Sequence, residues 1–369
     1  MAKYKLKELC EFITDGTHQT PEYCGNDGVI FLSSKDVTER KINWDSVKYI
    51  PNALHEKLCK RLKPRKNDIL LAKNGTTGVA AIVDRDEIFD VYVSLAVLRP
   101  LNVVYPKYLL YAINSPVVKR QFDAGLKGVG VPNLHLSVIK ETWINVVKKE
   151  GQQKVCKVLD KIEKIIELKK QELQLLDELI KARFVEMFGT LDNPSQEFVK
   201  ATLKELCNKI TDGKHGGCKA EERTERYFVG AREIYDDEVH YDTAPEINID
   251  EFEKDYKRCN IEIGDFLIVN TGATIGKSAI ATDKRTKHTL LQKSVALLKV
   301  KKDVLNPVFL KWCYRVNKQM YIVESASAQP NLLLSKINST VIYVPDIELQ
   351  NQFASFVEQV DKSKVVHYI

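Results

Sequence analysis

The sequence has no apolar run near the roughly 20 residues needed to span a bilayer, and its opening, MAKYKLKELC, lacks the apolar core and cleavage site of a secretory leader. These absences predict a cytoplasmic protein with no membrane contact. There is no CxxC pair and no histidine pair at zinc-binding spacing. The eight cysteines (Cys10, Cys24, Cys59, Cys156, Cys207, Cys218, Cys259 and Cys313) are therefore expected to be reduced thiols, and no metal site is expected. No low-complexity tract interrupts the 369 residues, which suffice for two compact domains and an elongated element. The net charge of +6 supports an anionic partner only weakly, since many proteins with neutral partners carry the same balance.

What is present is a repeat. LKELCEFITDGTH (6–18) returns as LKELCNKITDGKH (203–215), NDILLAKNGTTG (67–78) as GDFLIVNTGATIG (264–276), and GVPNLHLSVI (130–139) as AQPNLLLSKI (328–337). A period of about 200 residues duplicates a whole domain, far beyond solenoid repeats. Within each copy, short apolar runs bounded by turn signals read as strands: VIFL (29–32), ILLA (69–72), VAAIV (79–83), VSLAVL (93–98) and TWINVV (142–147). Helices are expected from Pro106 (PKYLLYAI), from Ser115-Pro116 as N-cap and first turn, and from Pro307 in the second copy.

Between the copies, residues 152–188 contain neither proline nor glycine. Val155, Leu159, Ile162, Ile166, Leu173, Leu176, Ile180 and Met187 follow the four-three spacing of a heptad seam, with Lys169 and Arg183 also at seam positions. Gly189 stops this helix. Leu349, Phe353, Phe356 and Val360 repeat the spacing near the C-terminus and predict an antiparallel partner; packing of the long helix on a globular domain is the competing expectation. The expected fold is α+β: two similar mixed α/β domains at 1–147 and 190–345, a helical spacer at 148–189 and a short pairing helix at 346–369. Phe184, Val185 and Phe188 are expected to remain available to partner subunits.

In this order, FITDGTHQTP, NDILLAKNGTTG, the PNL segments at Pro132 and Pro330, and the helix openings EGQQKV (150–155) and ELQNQF (348–353) resemble the specificity subunits of type I restriction-modification systems. The resemblance implies two target-recognition domains related by a pseudo-twofold axis, each reading one half of a bipartite site on double-stranded DNA while antiparallel coiled-coil helices set the spacing. It also implies a non-catalytic chain that docks two methyltransferase subunits and, for restriction, motor-nuclease subunits. That family's second helical region is usually comparable to its first, whereas here only about 20 residues follow Leu349. The strings KDVTERKINWDSVKYI (35–50) and REIYDDEVHYDTAPEI (232–247) differ enough to predict unlike half-sites.

No catalytic signature competes. In TGATIGKS (271–278), Gly272 and Gly276 enclose three residues where a phosphate loop needs four, and the first copy reads NGTTGVA. There is no NPPY-like or DPPY-like tetrapeptide, and GLKGVGVP (125–132) lacks the strand before it and the acidic residue after it that a cofactor loop requires. No cofactor, S-adenosylmethionine included, is expected. His18 and His215 lack companion ligands, so a structural hydrogen bond or a phosphate contact is expected for each, with Asp15-Gly16 and Asp212-Gly213 making turns. The residues expected to meet DNA follow strands: Ser33, Ser34, Lys35, Lys73, Asn74 and Thr76 in the first domain, Arg232, Asn270, Thr271 and Lys277 in the second. Asn and Arg are favoured because they pair bidentately with adenine and guanine. A stand-alone DNA-binding protein is the alternative function; a hydrolase or NTPase is disfavoured.

Overall fold

The computed structural model describes residues 1–126, 132–321 and 331–366. Two units divide inside the central helix, Met1–Leu168 and Lys169–Ile369.

The apolar runs are continuous rather than alternating because each unit's main sheet is covered on both faces. In the first unit the strand order is Cys10–Asp15, Leu95–Pro100, Ile69–Ala72, Ala80–Ile82, all antiparallel. Ile69 and Leu71 face the helices Pro106–Ile113 and Pro116–Gly125, packing with Leu109, Ile113 and Phe122. Leu70 and Ala72 point the other way, against Leu32, Trp44, Phe89 and Val91. That second layer is a three-stranded sheet in which Val29–Leu32 runs parallel to Phe89–Val91. The second unit repeats the plan, with the order Cys207–Asp212, Val295–Val300, Phe266–Val269, Ser278–Ile280. There Phe266 and Ile268 lie in one cluster, Leu267 and Val269 in another.

Ser115 accepts a hydrogen bond from the Val118 amide at 3.4 Å, capping the helix that Pro116 opens. The aspartates that open the central strands are also fixed by both copies: Asp68 accepts a two-pronged pair from Arg99 at 2.9 and 2.8 Å, and Asp265 pairs with Lys299 at 2.8 Å. All eight cysteines are free thiols. Among the described residues no helix is long and apolar enough to cross a membrane.

The central helix, Lys149–Phe188, has 40 residues and is about 60 Å long at 1.5 Å per residue. The glutamine in each helix opening explains those two strings. Buried Gln152 accepts from the Tyr105 amide at 2.7 Å and donates to the Val147 carbonyl at 3.0 Å; buried Gln350 accepts from Asn306 at 2.9 Å and donates to Pro345 at 2.7 Å. Each locks its helix to the loop before the preceding Pro-initiated helix. Gly189, with φ of +73°, ends the central helix, its amide returning to the Val185 carbonyl at 2.8 Å.

The antiparallel helix pair is present within the second unit. Phe353 of the C-terminal helix Ile347–Val366 lies 5.3 Å from Phe184 and 5.7 Å from Phe188, ring centre to ring centre, while Lys364 pairs with Asp177 at 2.8 Å. Two expectations are corrected here. Phe184 and Phe188 are fully buried among Phe309 and Phe353 and offer nothing to a partner, leaving only Val185 exposed. The core-facing side is also wider than the seam: seam positions Leu176, Ile180 and Met187 pack with the off-seam Phe184 and Phe188, while Arg183 stays exposed.

Within the first unit, the helix meets its domain through Cys156, buried in the apolar core, and beyond it through a polar face. The Tyr111 hydroxyl lies 2.6 Å from Asp160 and 2.8 Å from Glu163, its one proton shared between the two carboxylates, and Arg40 and Lys41 approach Glu163 and Glu167 at 3.8 and 3.7 Å. Val155, Val158, Ile162, Ile165 and Ile166 are left exposed. Of the seam predicted from spacing, Leu176, Ile180 and Met187 pack into the second unit's core, whereas Val155, Ile162 and Ile166 are exposed.

Candidate nucleic-acid interface

Each TDG turn ends a strand with a glycine pressed onto a neighbouring backbone. A Cβ on Gly16 would collide with the Val91 carbonyl, and one on Gly213 with that of Leu291. The close approach lets Thr17 donate to Val91 at 3.0 Å and accept from Val93 at 2.9 Å; Lys214 does the same with Leu291 at 2.7 Å and Lys293 at 2.9 Å. An arginine clasps each turn from below: Arg61 donates to the carbonyls of Asp15 and Gly16 at 2.6 and 2.7 Å, Arg258 to those of Asp212 and Gly213 at 3.0 and 2.9 Å.

The residues that follow the central strands join the same end of the sheet. Lys73 donates its amide to the Ser94 carbonyl at 2.8 Å, and Asn270 to that of Ser294 at 3.0 Å. The PNL segments close on them, Leu134 donating to Lys73 at 2.8 Å and Leu332 to Asn270 at 2.7 Å. The serine hydroxyls then hold a further loop, Ser94 Oγ accepting from the Ser34 amide at 3.0 Å and Ser294 Oγ from Ala231 at 3.2 Å. Five segments therefore converge in each domain on one scaffold.

The expected DNA contacts fall unevenly on this scaffold. Lys35, Thr76 and Arg232 are exposed at its rim, and Asn74 and Thr271 are half-buried, bridged to Asn133 and Asn331. Ser33 gives its amide and hydroxyl to Asp36, at 2.6 and 2.9 Å, and so shapes its loop. Lys73 and Asn270 are buried and form the floor instead of the surface. The Lys73 ammonium is engaged by Asp15 at 2.5 Å, which keeps it from a phosphate. Lys277 is exposed but lines a different cleft, with Asp177, Asp236, Asp237 and Arg315.

His18 and His215 project into solvent, each within 3.4–3.5 Å of the aspartate of its own turn. Burial raises the Asp15 carboxyl, but the Lys73 hydrogen bond and charge, helped by His18, outweigh it and hold the group below its ordinary value. TGATIGKS joins two antiparallel strands, with Gly272 and Gly276 at φ near +97° and +96°, so no helix N-terminus follows for a phosphate to meet. GLKGVGVP lies mostly in 127–131, and Pro330 in 322–330, outside the described residues.

The sequence reading missed Ser94 and Ser294, Asn133 and Asn331, Lys214, Lys293, Tyr92 and Gln292. Aligning SLAVL (94–98) with SVALL (294–298) would have exposed the serine pair. Around the second scaffold, Lys214, Thr271, Gln292, Lys293, Ser294 and Asn331 line a cleft of about 400 Å³ that is open to solvent. Amides and hydroxyls ringed by lysines suit base edges flanked by phosphates.

Two stretches, residues 1–178 and 195–366, match the family model of the Type I restriction modification DNA specificity domain. The chain belongs to this family. Over 179 residues it is 25% identical to the type I restriction enzyme MjaVIII specificity subunit of Methanocaldococcus jannaschii. That match covers 47% of this chain and 42% of the relative, so the chain spans under half the length of the curated protein it matches. A crystal structure of a type I restriction-modification system S subunit from M. genitalium aligns over 100% of this chain and 91% of its own, with a TM-score of 0.53 and 15% identity. A structure described for complex assembly and conformational transition of the type I R-M system aligns over 99% and 91%, with a TM-score of 0.53 and 16% identity. At such identities the likeness is one of fold.

Proposed function

We propose that this chain is the DNA-specificity subunit of a type I restriction-modification enzyme, each domain reading one half of a bipartite duplex site. The observation that carries this reading is the duplicated scaffold: the same serine, glycine and arginine contacts recur, while the side chains they present differ. Equal frameworks with unequal faces suit two unlike half-sites at a set distance. Arg232 and Lys293 at the second rim, and Lys35 at the first, would neutralise phosphates; Asn74 and Thr271 would meet bases.

In this reading the chain performs no chemistry and works in the cytoplasm. Methylation belongs to two methyltransferase subunits and cleavage to motor-nuclease subunits. The exposed apolar face of the central helix, with Val155, Val158, Ile162, Ile165 and Ile166, supports a protein partner over a stand-alone DNA binder.

The test is to express the chain with and without a type I methyltransferase subunit encoded in the same genome, in a host lacking adenine methylation, and to map methyladenine by single-molecule sequencing. A bipartite, non-palindromic motif seen only with both proteins is the expected result. A symmetric motif would contradict unlike half-sites. Failure of the two proteins to associate, with DNA binding retained, would favour the stand-alone reading.

A further inference from the structure

Gln292 is tethered along its backbone yet free at its tip. Its amide donates to the Val229 carbonyl at 2.8 Å, its carbonyl accepts from Val295 at 2.9 Å, and it bridges Lys214 in parallel fashion. The carboxamide has no hydrogen-bond partner among the described residues; it lies beside Gly230, and the residue lines the open cleft with Thr271, Lys293 and Asn331.

Gly230 explains how that tip is accommodated. Its own backbone angle requires no glycine, and its amide is held by Glu233 at 2.8 Å. A Cβ there would overlap Oε1 and Cδ of Gln292. In the first domain the equivalent pair is Ser33 and Tyr92, following the matching backbone contacts of Tyr92 to Leu32 and Gln292 to Val229. There the residue at the glycine position carries a side chain, and the tyrosine ring packs against Phe31 at 6.2 Å with its hydroxyl 3.3 Å from Thr20.

We propose that Gln292 is the base-selecting side chain of the second domain, that it recognises adenine, and that Gly230 is the positioning residue that leaves its carboxamide room. A glutamine amide donates from one atom and accepts at another, matching adenine N7 and N6 together in the major groove; the single phenol oxygen of Tyr92 cannot make that two-pronged contact. The difference between these two equivalent positions is then one source of unlike half-sites. The inference rests on the DNA-specificity reading above and is tested separately from it.

The experiment maps methyladenine in the assembled enzyme carrying Gln292→Ala, Gln292→Glu or Gly230→Ala, beside the unsubstituted protein. Gln292→Ala should lower discrimination at one adenine of the second half-site by about 5- to 150-fold. Gln292→Glu, an acceptor only, should move that position toward cytosine, and Gly230→Ala should disturb the same position. The first half-site, unchanged in all three, reports that each variant folds and assembles. A second half-site unaltered by both Gln292 variants overturns the inference and leaves the specificity reading intact. Absence of any motif from the unsubstituted protein overturns that reading and the inference with it.

Discussion

The Lys73 ammonium sits 2.5 Å from the Asp15 carboxylate, and both side chains are more than nine-tenths closed to solvent. In the second copy Asn270 occupies the lysine's place, and the equivalent Asp212 is met by Arg258 at 2.5 Å instead. One charge pair has been exchanged for another, from a different element, around the same TDG turn.

The exchange predicts unequal costs. Lys73→Met strands a buried carboxylate and should lower unfolding free energy by roughly 3–5 kcal/mol. Arg258→Met should cost less, because the Arg258 side chain is 43% exposed against 8% for Lys73 and water screens its pair. Urea unfolding of both variants checks the order; equal costs would refute it.

Acid should affect the first turn in a defined direction. The folded Asp15 carboxyl lies below its ordinary value, so its contribution is complete above the unfolded carboxylate's pKa of about 3.9 and disappears as pH falls through the folded value. In Lys73→Met burial acts without the ammonium and raises Asp15, so protonation relieves the variant. The stability gap between variant and parent should narrow as pH falls, beginning above about pH 4, where the variant's raised carboxyl takes up its proton, and ending at the parent's lowered value; a constant gap from pH 7 to 3 would count against the pair.

Gly16→Ala and Gly213→Ala place a methyl against a backbone carbonyl, a form of overpacking that costs roughly 1–3 kcal/mol. Each should weaken one half-site only, since the two turns serve separate scaffolds. Loss of methylation with both half-sites equally relaxed would show the turns to be general supports.

Phosphate and base contacts should separate under salt. Lys293→Ala should weaken binding to all duplexes and reduce the slope of log K against log salt by about 1, whereas Asn74→Ala should relax the first half-site and leave the slope unchanged. Filter binding across a salt series distinguishes them.

The two halves of the central helix should respond in opposite ways. Phe184→Ala empties a fully buried site and should cost about 3–5 kcal/mol in the isolated chain. Ile162→Asp alters an exposed position, so stability should change by less than about 0.5 kcal/mol while co-purification with the methyltransferase fails. Intact association would remove that face from the proposed assembly.

The duplication, the central helix with its stop at Gly189, and the sheet's central strands were legible in the sequence, because repeats, spacing and turn residues are local signals. ILLA reads as a strand because it is short, wholly apolar and bounded by turns, and its repeat partner FLIV follows it; that both are covered on two faces came from the structure. Which lysine reaches solvent was not legible. Lys73 and Lys35 look alike in the chain, yet one neutralises Asp15, 58 residues away, and the other stays exposed. Likewise, Phe184 and Ile162 both belong to apolar helix positions, but only Phe184 meets Phe309 and Phe353. Local pattern sets what an element can be, since it depends on neighbours a few residues apart. Burial, pairing and the Gln292 environment depend on which distant segments arrive beside them, and only the tertiary structure decided that.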